Sequence, residues 1–103
     1  MVLIETPIFT KQVIALLSDE DYGEFQRHLA ENPHDGDLIQ DTNGLRKVRW
    51  KTKGGGKSGG VRVIYFHVSA QAQIRLLLIY KKGVKDNLTS ADKRTLRAIN
   101  ANW

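Results

Sequence analysis

The sequence predicts an α+β fold: an antiparallel sheet with two N-terminal helices packed on one face and a C-terminal helix, in the order β-α-α-β-β-β-α. Three observations predict it. Two apolar stripes at helical spacing follow one another in the first third of the chain. Three β-prone runs succeed each other between residues 45 and 82, and a last helical stretch follows. The 103 residues make one domain, 1–103, with no internal repeat and no linker.

Residues 2–5, VLIE, form a short apolar run suited to an edge or first strand. Thr6-Pro7 starts a helix, with Thr6 as N-cap and Pro7 at the first helical position, where a missing N–H costs nothing. Phe9, Val13 and Leu16/Leu17 then recur on one buried face. Ser18 followed by Asp19, Glu20 and Asp21 starts a second helix, with acids where the helix dipole favours them. Tyr22, Phe25 and Leu29 form its apolar stripe, and Asn32-Pro33 ends it, because the residue before a proline is pushed out of helical angles. The two helices make a hairpin that covers one face of the sheet.

Residues 33–44, PHDGDLIQDTNG, read as a connecting loop, pinned to the core by Leu38-Ile39 and closed by the Asn43-Gly44 turn signal. A strand over 45–51, a glycine-rich loop over 52–60, a strand over 61–68, a polar turn over 69–73 and a strand over 74–82 follow. The short link makes the last two strands an antiparallel hairpin. After Gly83 and the break at Asp86-Asn87, Thr89 or Ser90 caps a final helix in which Leu96 and Ile99 face inward.

The charge is segregated along the chain. Residues 1–41 carry two basic and nine acidic side chains, whereas residues 42–85 carry eleven basic and no acidic ones. An acidic scaffold face opposite a basic working face is the expectation. The basic density peaks in LRKVRWKTKGGGKSGGVR, residues 45–62, which holds Arg46, Lys47, Arg49, Lys51, Lys53, Lys57 and Arg62. A phosphate-rich ligand is the natural partner of such a stretch, with Arg46, Lys47 and Arg49 on the first strand and Lys53 and Lys57 on a loop that can approach a backbone phosphate. The absence of cysteine excludes disulfides and cysteine-ligated metal sites. The N-terminal MVLIETPIF has neither the basic region nor the apolar run of a signal peptide, and no stretch reaches the length of a bilayer span. A cytoplasmic protein with no membrane partner is expected.

Several chemistries can be tested against the residues. GGGKSGG is not a Walker A loop: the glycine required five residues before Gly56 is Lys51, and a strand follows where a helix is needed. His28, His34 and His67 lack metal-ligand spacing, and no Asp or Glu lies between Asp41 and Asp86 to offer Mg²⁺ a hard oxygen site. No metal and no cofactor are expected. Trp50 and Tyr65 fit either base stacking or the core, and His67 either a general base or a half-buried strand histidine. Arg62, Tyr80 and Lys82 lie near strand ends next to glycine, where side chains reach a cleft. Strict alternation groups Tyr80 and Lys82 with Leu76 and Leu78, and Lys81 with Arg75.

GLRKVRW, a Lys/Gly loop, GGVRVIYFHV, and LLLIYKKGVKDNLT before a C-terminal helix together resemble the HigB branch of the RelE-type toxins. The upstream DEDYGEFQRHLAENPHDGDLI matches the branch's helix and loop, so the resemblance covers nearly the whole chain. It implies the toxin of a type II toxin–antitoxin pair: a metal-independent endoribonuclease that cuts mRNA in the ribosomal A site, with the 2′-hydroxyl before the cut as nucleophile. It implies Arg62 as the principal catalytic arginine, Lys53 and Lys57 as phosphate-binding loop lysines, and Tyr80 and Lys82 as the IYxK end of the next strand. Arg62 can clamp the scissile phosphate, and Lys82 or Tyr80 can move the 2′-hydroxyl proton if cationic crowding lowers its pKa. The implied partners are a helix-turn-helix antitoxin, the 30S A site and mRNA. Some RelE-type enzymes carry a further tyrosine near the C-terminus, where this chain has only Trp103. An incomplete acid–base set implies that the ribosome completes the site and that free RNA is cut poorly.

Two other readings use the same features. A ParE-like protein would keep the fold and inhibit DNA gyrase by binding it. A non-catalytic ribosome- or RNA-binding module would use the basic face alone.

Overall fold

The computed structural model describes residues 1–51, 60–85 and 87–103. Its elements run β1 (Val2–Glu5), α1 (Pro7–Leu16), α2 (Asp19–Glu31), β2 (Asp37–Leu38), β3 (Arg46–Trp50), β4 (Val61–Val68), a 3₁₀ turn (Ser69–Gln71), β5 (Gln73–Lys81) and α3 (Ser90–Ala101). The strands form one sheet in the order β1-β5-β4-β3-β2. The two longest β-prone runs, β4 and β5, pair antiparallel near its centre, and β3 and β2 extend it antiparallel. β1 pairs parallel to β5. No hairpin joins β1 to β5, so the direction of this edge strand is free of the constraint that fixes the others.

The capping chemistry places the helices. Thr6, Ser18 and Thr89 are the N-caps, and their hydroxyls accept from Phe9 N, Asp21 N and Asp92 N. Such a cap is worth about 1 kcal/mol. At Thr89 the Asp92 carboxylate also accepts the Thr89 N–H, which completes a capping box. α1 and α2 bury Phe9, Val13, Leu17, Phe25 and Leu29 against Val48, Val61, Val63, Tyr65, Ile74, Leu76 and Ile79 of the sheet. α3 lies over the opposite face, with Leu96 against Leu45, Ile64, Leu77 and Tyr80.

The sheet departs from strict alternation at one point. Ile64 pairs Leu78 and Tyr65 pairs Leu76, so Leu77 is the extra residue of a bulge. Leu77 and Leu78 therefore both face α3, while Leu76 faces α1 and α2. This corrects the expected grouping: Tyr80 shares a face with Leu78 and not with Leu76, and Arg75 lies opposite Phe66 while Lys81 lies opposite Val61. The Leu77 carbonyl at the bulge accepts from Thr6 Oγ1 at 2.8 Å, so the residue that caps α1 also satisfies the bulge.

The loop over 33–44 differs in detail. It contains the two-residue edge strand β2, in which Leu38 is 63 % exposed while Ile39 packs toward α3. Adjacent residues of an extended segment point to opposite sides, so only one of the pair reaches the core. Ile99, expected inside, is 40 % exposed, because it lines an open apolar groove between α3 and Ile8 of α1. None of the helices among the described residues is long and apolar enough to cross a membrane.

Candidate phosphate-binding and catalytic face

β3, β4 and β5 bring three of the predicted residues into one row. Arg49 is the register partner of Arg62, and Arg62 is the register partner of Tyr80. Register partners on neighbouring strands share a face, so all three belong to the side that carries α3. Lys47, two residues along β3, pairs Ile64 on the same side. Lys82 sits just past the end of β5, exposed, with its N–H donating to the Gly60 carbonyl at 3.2 Å.

Gly60 cannot be replaced at this junction. Its φ is +81°, and a Cβ there would lie 2.0 Å from the Trp50 carbonyl oxygen. The chain thus enters β4 pressed against the end of β3, two residues before Arg62. Arg62 is half-buried, and its Nη1 donates to the Val61 carbonyl at 3.3 Å. Arg49 beside it is exposed. Two neighbouring guanidinium groups, one held partly out of water, attract anions, and the planar fork suits phosphate oxygens.

Tyr80 is 8 % exposed. Burial pushes its phenol up from the usual tyrosine value; the nearby Arg62 and Lys85 charges pull it down, and Asp92 pushes it up again. Burial dominates, so the expected lowering by cationic crowding does not hold for this residue. The phenol is protonated across the neutral range, and it can give a proton to a developing oxyanion but not take one from a hydroxyl.

Arg46 lies on the other face. It pairs Tyr65, and its Nη1 donates to the carbonyls of Gly36 at 2.8 Å and His34 at 3.4 Å. Tyr65 is fully buried, donates to the Pro33 carbonyl and accepts the Gly36 N–H. A Cβ on Gly36 would meet both the Tyr65 ring and the Lys47 carbonyl at 2.9 Å. Arg46 and Tyr65 therefore fasten the loop over 33–36 to the sheet. Trp50 packs edge-on to Phe25 beneath α2. His67 contacts His34 (3.1 Å between ring nitrogens) on that same side, and burial, His34 and Arg46 all lower its pKa. None of these four joins the Arg49–Arg62–Tyr80 row. Lys53 and Lys57 lie outside the described residues.

No protein-family model matches the chain. Among solved structures it is similar to the isolated RelE toxin of E. coli, with a TM-score of 0.60 and 16% sequence identity, covering 92% of this chain and 98% of that one. A chain of the intact E. coli RelBE toxin–antitoxin complex is similar at a TM-score of 0.59 and 15% identity, covering 78% of this chain and 94% of that one. The chain has a RelE-like fold.

On this RelE-like frame the row has a neighbour that reading by strand position missed. Asp92 comes from α3 to within electrostatic reach of Tyr80, and Lys85 joins it through a 2.7 Å ion pair. Lys85 and the capping box hold the Asp92 carboxyl well below its usual value, at about 2. Asp92 is thus a fixed acceptor and not a proton carrier near neutrality. The T-x-x-D spacing of Thr89 and Asp92 was the available signal for it.

Proposed function

We propose that the chain is the toxin of a type II toxin–antitoxin pair, a ribosome-dependent and metal-independent endoribonuclease that cuts mRNA in the A site and so inhibits translation. The alignment of Arg49, Arg62 and Tyr80 across three strands is the observation that carries this reading. The RelE-like fold supports it, and the order of motifs through residues 44–89 favours the HigB branch. The complex of the similar E. coli chain with an antitoxin supports an antitoxin as partner; that it is a small helix-turn-helix protein is what the resemblance to the HigB branch implies, and the cytoplasm is the matching compartment.

The chemistry follows from the row. The mRNA 2′-oxygen bonds to the scissile phosphorus, the bond to the 5′-oxygen breaks, and a cyclic phosphate and a 5′-hydroxyl result. Arg62, with Arg49 beside it, holds the non-bridging oxygens and stabilises their added charge. Loss of one such donor costs about 10²–10³ in rate. Tyr80, protonated at neutral pH, supplies the proton that the departing 5′-oxygen takes. Lys82 at the strand end, with Lys53 and Lys57, neutralises flanking phosphates, and Lys47 extends the track along β3. The proton of the 2′-hydroxyl leaves to a group of the ribosome. Arg46 contributes by holding the loop against β3.

Primer extension on a defined mRNA in a purified translation system tests the proposal. Wild-type protein cuts within A-site codons only when ribosomes are present, and Arg62→Ala leaves the message intact. Intact mRNA with the wild-type protein under all conditions would overturn the reading, as would undiminished cutting by Arg62→Ala.

A further inference from the structure

α3 turns one side to the sheet and another, strongly basic side to solvent. Lys93, Arg94 and Arg97 follow one another at helical spacing, so that Arg97 lies beside both of the others. With Ser90 and Asp41 they line an open cavity of about 240 Å³. Three cations face one carboxylate there. Arg97 Nη1 is engaged, donating to the Asp41 carbonyl at 2.5 Å. Among the described residues, neither Lys93 nor Arg94 has a side-chain hydrogen bond or ion pair.

Lys93 also lines a second cavity, of about 280 Å³, whose far wall includes Lys47 of β3. The basic side of α3 is therefore continuous with the strand that carries Arg49 toward Arg62. Asp37, the register partner of Lys47, is the one carboxylate among the described residues lining that passage.

From this continuity we propose that Lys93, Arg94 and Arg97 on α3 form a second site for the sugar–phosphate backbone of structured RNA, separate from the strand held at Arg62. The inference rests on the reading of this chain as a nuclease that works on the ribosome. The chemistry of the cavity favours RNA over a protein partner. No apolar or aromatic side chain lines the α3 cavity, whereas protein interfaces are anchored by such groups. The apolar residues of α3, Leu96 and Ile99, line a different groove. What remains is a set of cations around a polar hollow, which binds phosphate by releasing counterions.

The test uses a short A-form RNA duplex as probe, with affinity measured between about 50 and 200 mM salt. Two variants of equal net charge are compared, Lys93→Gln/Arg94→Gln and Lys11→Gln/Arg27→Gln, the latter on the acidic helical layer. The α3 variant is expected to lose about 1.5–2 from the slope of log affinity against log salt, about 0.9 for each phosphate that is no longer neutralised. The control is expected to keep the wild-type slope. A wild-type slope in the α3 variant would overturn the proposal, and so would an equal loss in the control, which would make the effect one of net charge. The readout is independent of cutting: failed cleavage on ribosomes would sink the nuclease reading and leave this slope to be judged on its own. If both readings hold, the α3 variant also needs a higher protein concentration for half-maximal cutting on ribosomes, while Arg62→Ala retains most of the duplex affinity.

Discussion

At the scale of single residues, the proposed function gives Tyr80 two roles that one substitution separates. Its ring packs with Leu45, Ile64, Leu77 and Leu96, while its hydroxyl lies near Arg62, Lys85 and Asp92. Tyr80→Phe keeps the ring and removes the proton. Cleavage on ribosomes is expected to fall by about 10²-fold, with stability within about 1 kcal/mol of wild type by urea denaturation. Full cleavage by the variant would leave Tyr80 as a packing residue alone. The sequence made some of these roles readable and hid others. Arg62 stands out because a glycine pair precedes it and alternation puts it opposite its valine neighbours. Alternation puts Arg46 on the face opposite Lys47 and Arg49, but a run of cations does not reveal which of the two faces carries the site. Only pairing with Tyr65 and the Gly36 carbonyl shows that Arg46 serves the loop. For Tyr80 the sequence leaves cleft and core packing open, since α3 and not the strand itself supplies the cover.

At the scale of elements, the bulge at Leu77 decides which side of the sheet Tyr80 occupies. A one-residue change of register moves every following side chain to the other face. Without the extra residue, Tyr80 would point with Leu76 toward α1 and α2, away from Arg62 and α3. Thr6 holds the arrangement from outside the strand: its hydroxyl donates to the Leu77 carbonyl and accepts from Phe9 N at the start of α1. Thr6→Val removes both bonds at nearly constant volume, costing a cap and leaving a buried carbonyl without its donor. A loss of about 2–4 kcal/mol is expected by urea denaturation, with Thr6→Ser restoring most of it. A loss below about 0.5 kcal/mol would show that the bulge needs no such support. The helix boundaries were legible because Thr6-Pro7, Ser18, Asn32-Pro33 and Thr89 act through local chemistry. β1's parallel pairing and the Leu77 bulge were not, because partners more than sixty residues away in sequence set them.

At the scale of the whole molecule, much of the charge division of the sequence becomes a division between layers, with the acids of α2 beneath the sheet and Lys47, Arg49 and Arg62 on the side of α3, where Asp37 and Asp41 are exceptions. The layers are joined by all three tyrosines of the chain. Tyr22 of α2 donates to the Glu5 carboxylate of β1, Tyr65 ties the loop over 33–36 to the sheet, and Tyr80 packs between the sheet and α3. Burial raises the pKa of each above the ordinary value of 10.0. The folded protein therefore holds these protons more tightly than the unfolded chain does, and the sign of the linkage follows. The stabilisation is fully present below pH 10 and is lost as the pH rises above it toward the raised values. Because the Tyr22 and Tyr65 hydroxyls donate to Glu5 and to the Pro33 carbonyl and Tyr80 is buried under α3, their ionisation is expected to accompany unfolding. The melting temperature is expected to fall as the pH rises above about 10. In an alkaline titration the phenolate absorbance should rise together with the loss of far-UV circular dichroism, as one transition. Three tyrosines ionising near pH 10 with the dichroism intact would contradict this, and would mean that the layers are joined by their apolar cores alone.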